Sequence, residues 1–446
     1  MKQLKQPLER IHADQLLPNK VDVVVIGAGI AGTSAAWELS KKGLKVALLE
    51  KGIVSAEQSS RNWGWCRQQG RAPDELELAK LSLEIWPTLA AELGRDPGFR
   101  TTGVTFLTDK EEELEGWCQW QKHAIPLGIH SELLGADQAN RIVPGDSSKK
   151  WLGALTTKSD GRAEPSHTAP YLAMAAQANG AVVIENCAVH SLEKTNGKVS
   201  GVNTERGRII CDSVIVAAGA WTSLFLRKCH VDFPQAYVHG SVSYSAPFET
   251  QVQSCISTPY FSFRSRQDGG YTVAKSGRGT VYLTPTLLRY AIKFWPTYQI
   301  RRKNVKLQLS GHFWQELKRE FDYLYRDISP FKQNRIIDPE PDMELLGDAM
   351  KQLGNVFPAL SDLKMAGAWG GLIDSTPDAI PVISHIDSVP GLIVAAGFSG
   401  HGFGLGPGVG RVLSCMVTGA AAPIDLKPFR YCRMIDGTKL SPYIHF

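Results

Sequence analysis

The sequence predicts an α/β fold: a discontinuous, Rossmann-like dinucleotide-binding domain with an inserted α+β substrate domain built on a mixed antiparallel sheet. Three observations carry this expectation. Residues 23–32 read Val-Val-Val-Ile-Gly-Ala-Gly-Ile-Ala-Gly, an apolar run feeding straight into Gly-x-Gly-x-x-Gly. Residues 213–220 (Ser-Val-Ile-Val-Ala-Ala-Gly-Ala) and 390–397 (Pro-Gly-Leu-Ile-Val-Ala-Ala-Gly) repeat that logic, each an apolar strand ending in small residues. Unbroken apolar runs suit strands buried on both faces, and small residues at a strand end let the backbone come close to a ligand. Because these pieces are widely separated, the dinucleotide-binding domain is expected over 20–80, 160–235 and 365–425. The stretches 81–159 and 236–364 carry aromatics, charges and no dinucleotide signature, and read as the substrate domain; 1–19 and 426–446 are terminal segments.

Taken in order, Gly27 permits a tight turn, Gly29 lets backbone N–H groups approach a pyrophosphate, and Gly32 lets the following helix, Thr33 to Lys42, pack on the strand. The unsatisfied N–H groups and dipole of that helix favour an anion. Gly27, Gly29, Ile30, Ala31 and Gly32 are therefore candidates for the pyrophosphate. Gly43 closes the helix, and a second buried strand, Lys45 to Leu49, delivers Glu50 and Lys51, the acid being placed to accept the hydroxyls of an adenosine ribose. The glycines alone leave NAD and FAD open. A polar loop, Ser55 to Arg71, a helix from Asp74 to Leu93, a strand at Val104 to Leu107 and a charged helix around Lys110 to His123 follow. Then come a helix over Pro170 to Gly180, a strand at Ala181 to Glu185, and a hairpin across Asn196-Gly197. Near the end, glycine at 397, 400, 402, 404, 406, 408 and 410 costs chain entropy at every position, which a close ligand would justify; an apolar helix is expected from about 408 to 418.

Composition narrows the class. With 446 residues the chain exceeds one ordinary core, and 43% hydrophobic with 21% charged residues are globular values. A net charge of +5 with scattered basic residues gives no support for nucleic acid as a partner. Eight cysteines without a Cys-x-x-Cys pair, and no histidine cluster, predict free thiols and no metal. No signal-like or bilayer-length apolar stretch is present, so a cytoplasmic location is expected.

The glycine motif with its acid, the Val-Ala-Ala-Gly-Ala-Trp segment and Gly-His-Gly-Phe-x-Leu-x-Pro together resemble the FAD-dependent amine and amino acid oxidases, the family of D-amino acid, sarcosine and glycine oxidases. Within it the chain is most similar to bacterial L-amino acid deaminases, through Glu50-Lys-Gly, Glu57-Gln-Ser-Ser-Arg61, Ser329-Pro-Phe-Lys, Asp374-Ser-Thr-Pro-Asp-Ala-Ile-Pro381 and Lys427-Pro-Phe-Arg-Tyr431. The N-terminal membrane-anchoring helix of those deaminases has no counterpart here, which puts a membrane location and a respiratory acceptor in question; the acceptor is expected to be oxygen or a quinone.

The resemblance implies FAD, held without a covalent link. It places Val189 by the adenine, Ser59, Ser60 and Arg61 at the pyrophosphate and flavin, and Ala218 and Gly219 beside the cofactor. Gly402, Phe403, Gly404 and Leu405 would present N–H groups to the charge that reduction leaves at the flavin N1–C2=O locus. It further implies hydride transfer from the α-carbon of an L-amino acid to flavin N5, giving an imine that water converts to a 2-oxo acid and ammonia. A D-amino acid or N-methyl amine substrate is the alternative, and a flavin-binding electron-transfer or assembly protein the non-enzymatic one. Arg278 aligns with the carboxylate-binding arginine of the deaminases, with Arg264 and Arg266 as rivals and Lys275 as a further cation. His401 and Trp65 stand at pocket positions, Trp369 is expected near the flavin, and Asp374 and Asp378 are candidates to accept a basic side chain or to organise the Thr376-Pro377 turn. The aromatic segment 281–303, ending in Arg301-Arg302-Lys303, is expected to cover the active site or to touch a membrane peripherally.

Overall fold

The computed structural model describes residues 4–142, 149–249 and 252–443. At its centre is a six-stranded sheet drawn from three stretches of chain: Val23–Ile26 and Val46–Leu49, then Val182–Ile184 and Ser213–Val216, then Val382–His385 and Leu392–Ala396. Val23–Ile26 lies centrally between Val46–Leu49 and Ser213–Val216, Val182–Ile184 and Leu392–Ala396 add outside them in parallel, and Val382–His385 closes one edge antiparallel. Their side chains alternate between two buried clusters, which is why the strands read as unbroken apolar runs.

One face of the sheet is covered by the helices Ile30–Lys41, Thr168–Ala178, Leu76–Ile85 and Gly402–Thr418. The last of these begins six residues earlier than expected, at Gly402. Its glycines serve packing as well as any ligand. A Cβ on Gly406 would stand 2.3 Å from the Ile30 side chain, and one on Gly410 would stand 2.6 Å from the Ser34 backbone. The opposite face carries a three-stranded antiparallel meander, Val189–Thr195, Lys198–Thr204 and Gly207–Ile210. Its first turn places Asn196 and Gly197 at φ 52° and 80°, the geometry of a two-residue hairpin loop.

A second, ten-stranded sheet holds the rest apart from a two-stranded ladder of Trp65–Cys66 and Gly161–Arg162. Met365–Ser375, expected in the dinucleotide-binding part, instead pairs along the whole of Ala236–Ser245 in this sheet. Its last residues reach back to the first sheet, where Ser375 bridges Phe398, and an eleven-residue strand rich in glycine hides that crossing from a hydropathy reading. The helix expected over 74–93 is also broken, into Leu76–Ile85 and Leu89–Leu93, by a tight turn at Trp86–Thr88 that contains Pro87. Within the 281–303 segment, Tyr290 and Phe294 pack with Ala236 while Ile292 is 91% exposed, so it covers the core on one side only. No helix among the described residues is long and apolar enough to cross a membrane.

The tail is part of the fold. Arg433, 4% exposed, donates to Asp378 Oδ2 at 2.8 Å and to the Ile380 carbonyl at 2.7 Å, and Phe429 and Met434 are buried beside it. Arg433→Met strands the Asp378 carboxylate without its cation and is expected to cost about 3–5 kcal/mol in urea unfolding. A loss below about 1 kcal/mol would show the tail to be dispensable.

Candidate active site

A cavity of about 1200 Å³, its solvent mouth included, opens where the carboxyl ends of the central strands meet. Gly27, at φ 99°, makes the turn out of the first strand, and a Cβ there would stand 2.5 Å from the Ala217 carbonyl. The small Ala217-Ala218-Gly219 run is thus matched to the glycine loop it packs against. A Cβ on Gly32 would meet the Gly27 carbonyl at 1.9 Å. Gly29 precedes the Ile30–Lys41 helix, whose first N–H groups face the cavity, and Ser59 Oγ accepts from Ile30 N at 2.8 Å. Glu50 accepts from Ala28 N at 2.9 Å on one oxygen and from Gly52 N at 2.8 Å on the other. Each oxygen keeps a lone pair for a ribose hydroxyl, while burial pushes the carboxyl above its ordinary range.

Gly27, Gly29, Ile30, Ala31, Glu50, Lys51, Ser59, Val189, Ala218, Gly219, Gly402, Phe403 and Asp374 all line this cavity. The residues fit a dinucleotide: glycine where a side chain has no room, donors at a helix start, and a paired acceptor at the far end. Trp221, Phe225, Phe331 and Leu372 add apolar wall; Trp221 and Phe331 fall inside quoted motifs, but no local pattern showed that their rings face the cavity. At the other end the Gly402–Thr418 helix presents its start. Leu405 N closes the first turn on the His401 carbonyl at 3.4 Å, which leaves Gly402, Phe403 and Gly404 with free helix-start N–H groups. The helix opens at Gly404, whose carbonyl accepts from Ser82 Oγ at 2.6 Å and Trp86 Nε1 at 2.8 Å.

Several expected contacts fall elsewhere. Arg61 is buried with its guanidinium on the Ile337 carbonyl (2.6 Å) and Asp338 (3.3 Å), tying the loop to the second sheet rather than reaching a phosphate. Ser60 turns to Gln6, at 3.0 Å. The Lys51 ammonium is taken up by Glu57, at 2.7 Å, and the Arg335 carbonyl, at 2.7 Å. Arg264 is fully buried in a two-point ion pair with Glu164 at 2.8 and 3.1 Å. Arg266 pairs with Asp268 and Lys275 with Asp348. Arg278 is exposed, its Nη1 donating to the Lys303 carbonyl at 2.8 Å. Trp369 donates its indole N–H to the Arg61 carbonyl at 3.1 Å and packs on Tyr244. Asp374 accepts from Gly397 N at 2.6 Å, so it fixes the turn at 397 rather than the one at 376–377.

What the structure assembles instead is a cluster of side chains beside the Gly402–Thr418 helix start, next to the cavity that Gly402 and Phe403 line. A Cβ on Gly404 would stand 2.9 Å from the Trp65 carbonyl, so Trp65, Cys66 and Arg67 run directly against the helix. His401 Nδ1 lies 2.9 and 3.1 Å from the two oxygens of Glu75, a carboxylate with no exposed side-chain surface. Arg67 sits over the Phe106 ring at 5.3 Å and near Trp65 at 6.0 Å, and Arg71 is 3% exposed nearby. None of Arg67, Arg71 and Glu75 was singled out from sequence. No local pattern announces them: Arg67 and Arg71 lie in a loop, and Glu75 ends the short turn Pro73–Glu75 ahead of the Leu76–Ile85 helix.

Burial, with Arg71 opposing a positive charge, pushes His401 down to about 4 despite Glu75. The neutral ring then donates from Nδ1 to Glu75 and keeps Nε2 as an acceptor. An imidazole at about 4 when folded and 6.5 when unfolded binds fewer protons in the fold between those values. Its contribution to stability is whole above pH 6.5 and is lost as pH falls toward 4. His401→Asn removes that contribution, so the gap between wild-type and variant urea midpoints should narrow steadily through this window. A constant gap would place the folded imidazole near its ordinary value.

Among known proteins, the family described as "FAD dependent oxidoreductase" matches residues 22–416. The 4-methylaminobutanoate oxidase (formaldehyde-forming) of Paenarthrobacter nicotinovorans is 26% identical over 92% of this chain and 45% of its own length. The glycine oxidase of Geobacillus kaustophilus is 24% identical over 94% of this chain and 98% of its own. The chain thus spans less than half of the first relative and nearly all of the second. Among solved structures, the L-amino acid deaminase from Proteus myxofaciens in complex with anthranilate superposes with a TM-score of 0.91, at 26% identity, over 96% of this chain and 97% of that one. With the glycine cradle, the ribose acceptor and the helix start in place around one cavity, the chain belongs to the DAO family of FAD-dependent oxidoreductases.

Proposed function

We propose that this protein carries out the oxidative deamination of an L-amino acid. Bound FAD supplies the two-electron acceptor for the Cα–H bond, and water then converts the released imine to a 2-oxo acid and ammonia. The observation that carries the reading is the side-chain cluster at the Gly402–Thr418 helix start, where a cation and a neutral, oriented imidazole lie close together. Arg67 receives the substrate carboxylate, taking the role that alignment gave to Arg278. His401 Nε2 accepts an N–H of the substrate amine, its tautomer fixed by Glu75. Trp65, 7% exposed and packed on Phe106, gives the cluster an apolar side.

The likeness to the Proteus L-amino acid deaminase supports the L-amino acid reading. A second reading, a secondary or N-methyl amine substrate, is favoured by the curated relatives, one of which is a 4-methylaminobutanoate oxidase. FAD is held non-covalently, Cys66 being buried and His401 engaged by Glu75. Oxygen or a quinone takes the electrons onward.

Anaerobic mixing of the yellow protein with L-, D- and N-methyl amino acids tests this. Bleaching by L-amino acids is expected. Bleaching only by D- or N-methyl compounds would transfer the reading to the second class, and no bleaching by any amine would overturn both in favour of a flavin-binding assembly or electron-transfer protein.

A further inference from the structure

Beside the helix start two buried guanidiniums, Arg67 and Arg71, lie among two buried carboxylates, Glu75 and Asp160, whose charges oppose theirs. Arg67 and Arg71 lie close enough that each guanidinium disfavours the charge of the other or of His401. Two acids stand near them, yet both are already engaged. Glu75 gives its two oxygens to His401, and Asp160 accepts from Gln68 N at 2.9 Å and Gln69 N at 3.0 Å. Arg67 spends one N–H on the Gln69 carbonyl. Among the described residues, neither guanidinium forms an ion pair with any carboxylate. The two acids oppose the charge of the arginines but leave hydrogen-bonding capacity on them unmet.

The orphaned polar atoms point the same way. Arg71 Nε and Nη1, Gln69 Nε2 and Trp65 Nε1 are all buried and lack a partner. All are donors; Gln69 has already used its acceptor, taking the Thr157 hydroxyl at 2.8 Å. A set made only of donors, one of them a cation that is 3% exposed, fits a group made only of acceptors. A carboxylate offers two oxygens with about four lone-pair sites, and a planar guanidinium addresses it at two points.

We infer that Arg71, with the Gln69 amide and the Trp65 indole, receives a second carboxylate of the substrate, so that the amine oxidised here carries two carboxylates. This rests on the amino acid oxidation proposed above, with Arg67 taking the first carboxylate. The class takes in acidic amino acids and secondary amines with a carboxylate on each arm. A neutral side chain would leave Arg71 and its neighbouring donors buried and unpaired, which sites of this kind reject heavily.

The test uses the FAD-loaded full chain. Steady-state kcat/KM is measured for L-aspartate, L-glutamate and iminodiacetate against L-leucine and L-norvaline. A preference of at least about 100-fold for one of the dicarboxylates is expected, and Arg71→Met should remove most of it by lowering kcat/KM for that substrate while FAD stays bound. Should Arg71→Met fold poorly, the wild type decides alone. Malonate should perturb the flavin absorbance at concentrations at least about 30-fold below those needed for acetate, a contrast worth one further charged contact. Efficient oxidation of neutral amino acids, with malonate binding no tighter than acetate, would overturn the second carboxylate and leave the deamination standing. Tight malonate binding with no bleaching by any amine would do the reverse: the two-carboxylate site stands and the deamination falls.

Discussion

Gly32→Ala yields a colourless protein. The added methyl would stand 1.9 Å from the Gly27 carbonyl oxygen, a backbone atom that cannot rotate away. Relief requires the Ile30–Lys41 helix to lift from the strand or the 27–29 turn to open. Either movement withdraws the helix-start N–H groups from the pyrophosphate and carries Ala28 N away from Glu50, where it donates at 2.9 Å. The pyrophosphate contacts and the ribose acceptor are lost together, so FAD affinity should fall by at least about 1000-fold, the scale of several charge-assisted hydrogen bonds. The measurement is the ratio of flavin to protein absorbance after gel filtration, with FAD titrated back by fluorescence quenching. Folding should survive, since Ile30–Lys41 also packs on the Gly402–Thr418 and Thr168–Ala178 helices, and circular dichroism checks that. A yellow variant with wild-type affinity would mean that the pyrophosphate lies elsewhere than on this loop.

That result tests the part of the site most visible in the sequence, and the reason for its visibility is local. Strand, turn, helix and acid occupy one stretch from Val23 to Glu50, and their chemistry follows from spacing alone. The small residues at 217–219 and 395–397 were legible for the same reason: Ala217 and Ala218 meet the Gly27 turn, and Ala395 lines the cavity. Side-chain direction was not legible. Arg61 stands among residues that line the cavity, yet it turns to Ile337 and Asp338, whose approach no local pattern announces. Arg264 and its partner Glu164 are a hundred residues apart, and only the folded sheet shows the cation to be spent. The glycines of 402–410 were assigned to a ligand because helix packing is invisible without a partner; Ile30, Ser34 and Ser82 supply it. His401 meets Glu75 across 326 residues, so the cluster is a product of tertiary structure.

The substrate cation is where tertiary structure changes the expectation most, and two substitutions separate the alternatives. Arg67→Met is expected to raise KM for a carboxylate-bearing amine by about 100-fold or more, the worth of a charge-assisted contact in a partly buried site, while the protein stays yellow. Methionine keeps much of the apolar stem over Phe106, where the guanidinium lies at 5.3 Å, so a loss of packing does not confound the result. Arg278→Ala removes only a hydrogen bond from an exposed guanidinium to the Lys303 carbonyl, and KM should stay within about twofold. Were the carboxylate instead held at Arg278, that side chain would have to leave Lys303 and pass from solvent into the cluster, carrying Gly277 and Gly279 with it. The order of the two effects therefore decides the matter without reference to their size. A large KM effect at Arg278 and none at Arg67 would place the substrate on the outer face of the second sheet, and would leave the Glu75–His401 pair without a role in binding. The expected order puts the substrate carboxylate one residue from Cys66 and against the helix start at Gly404, next to Gly402 and Phe403, which line the cavity.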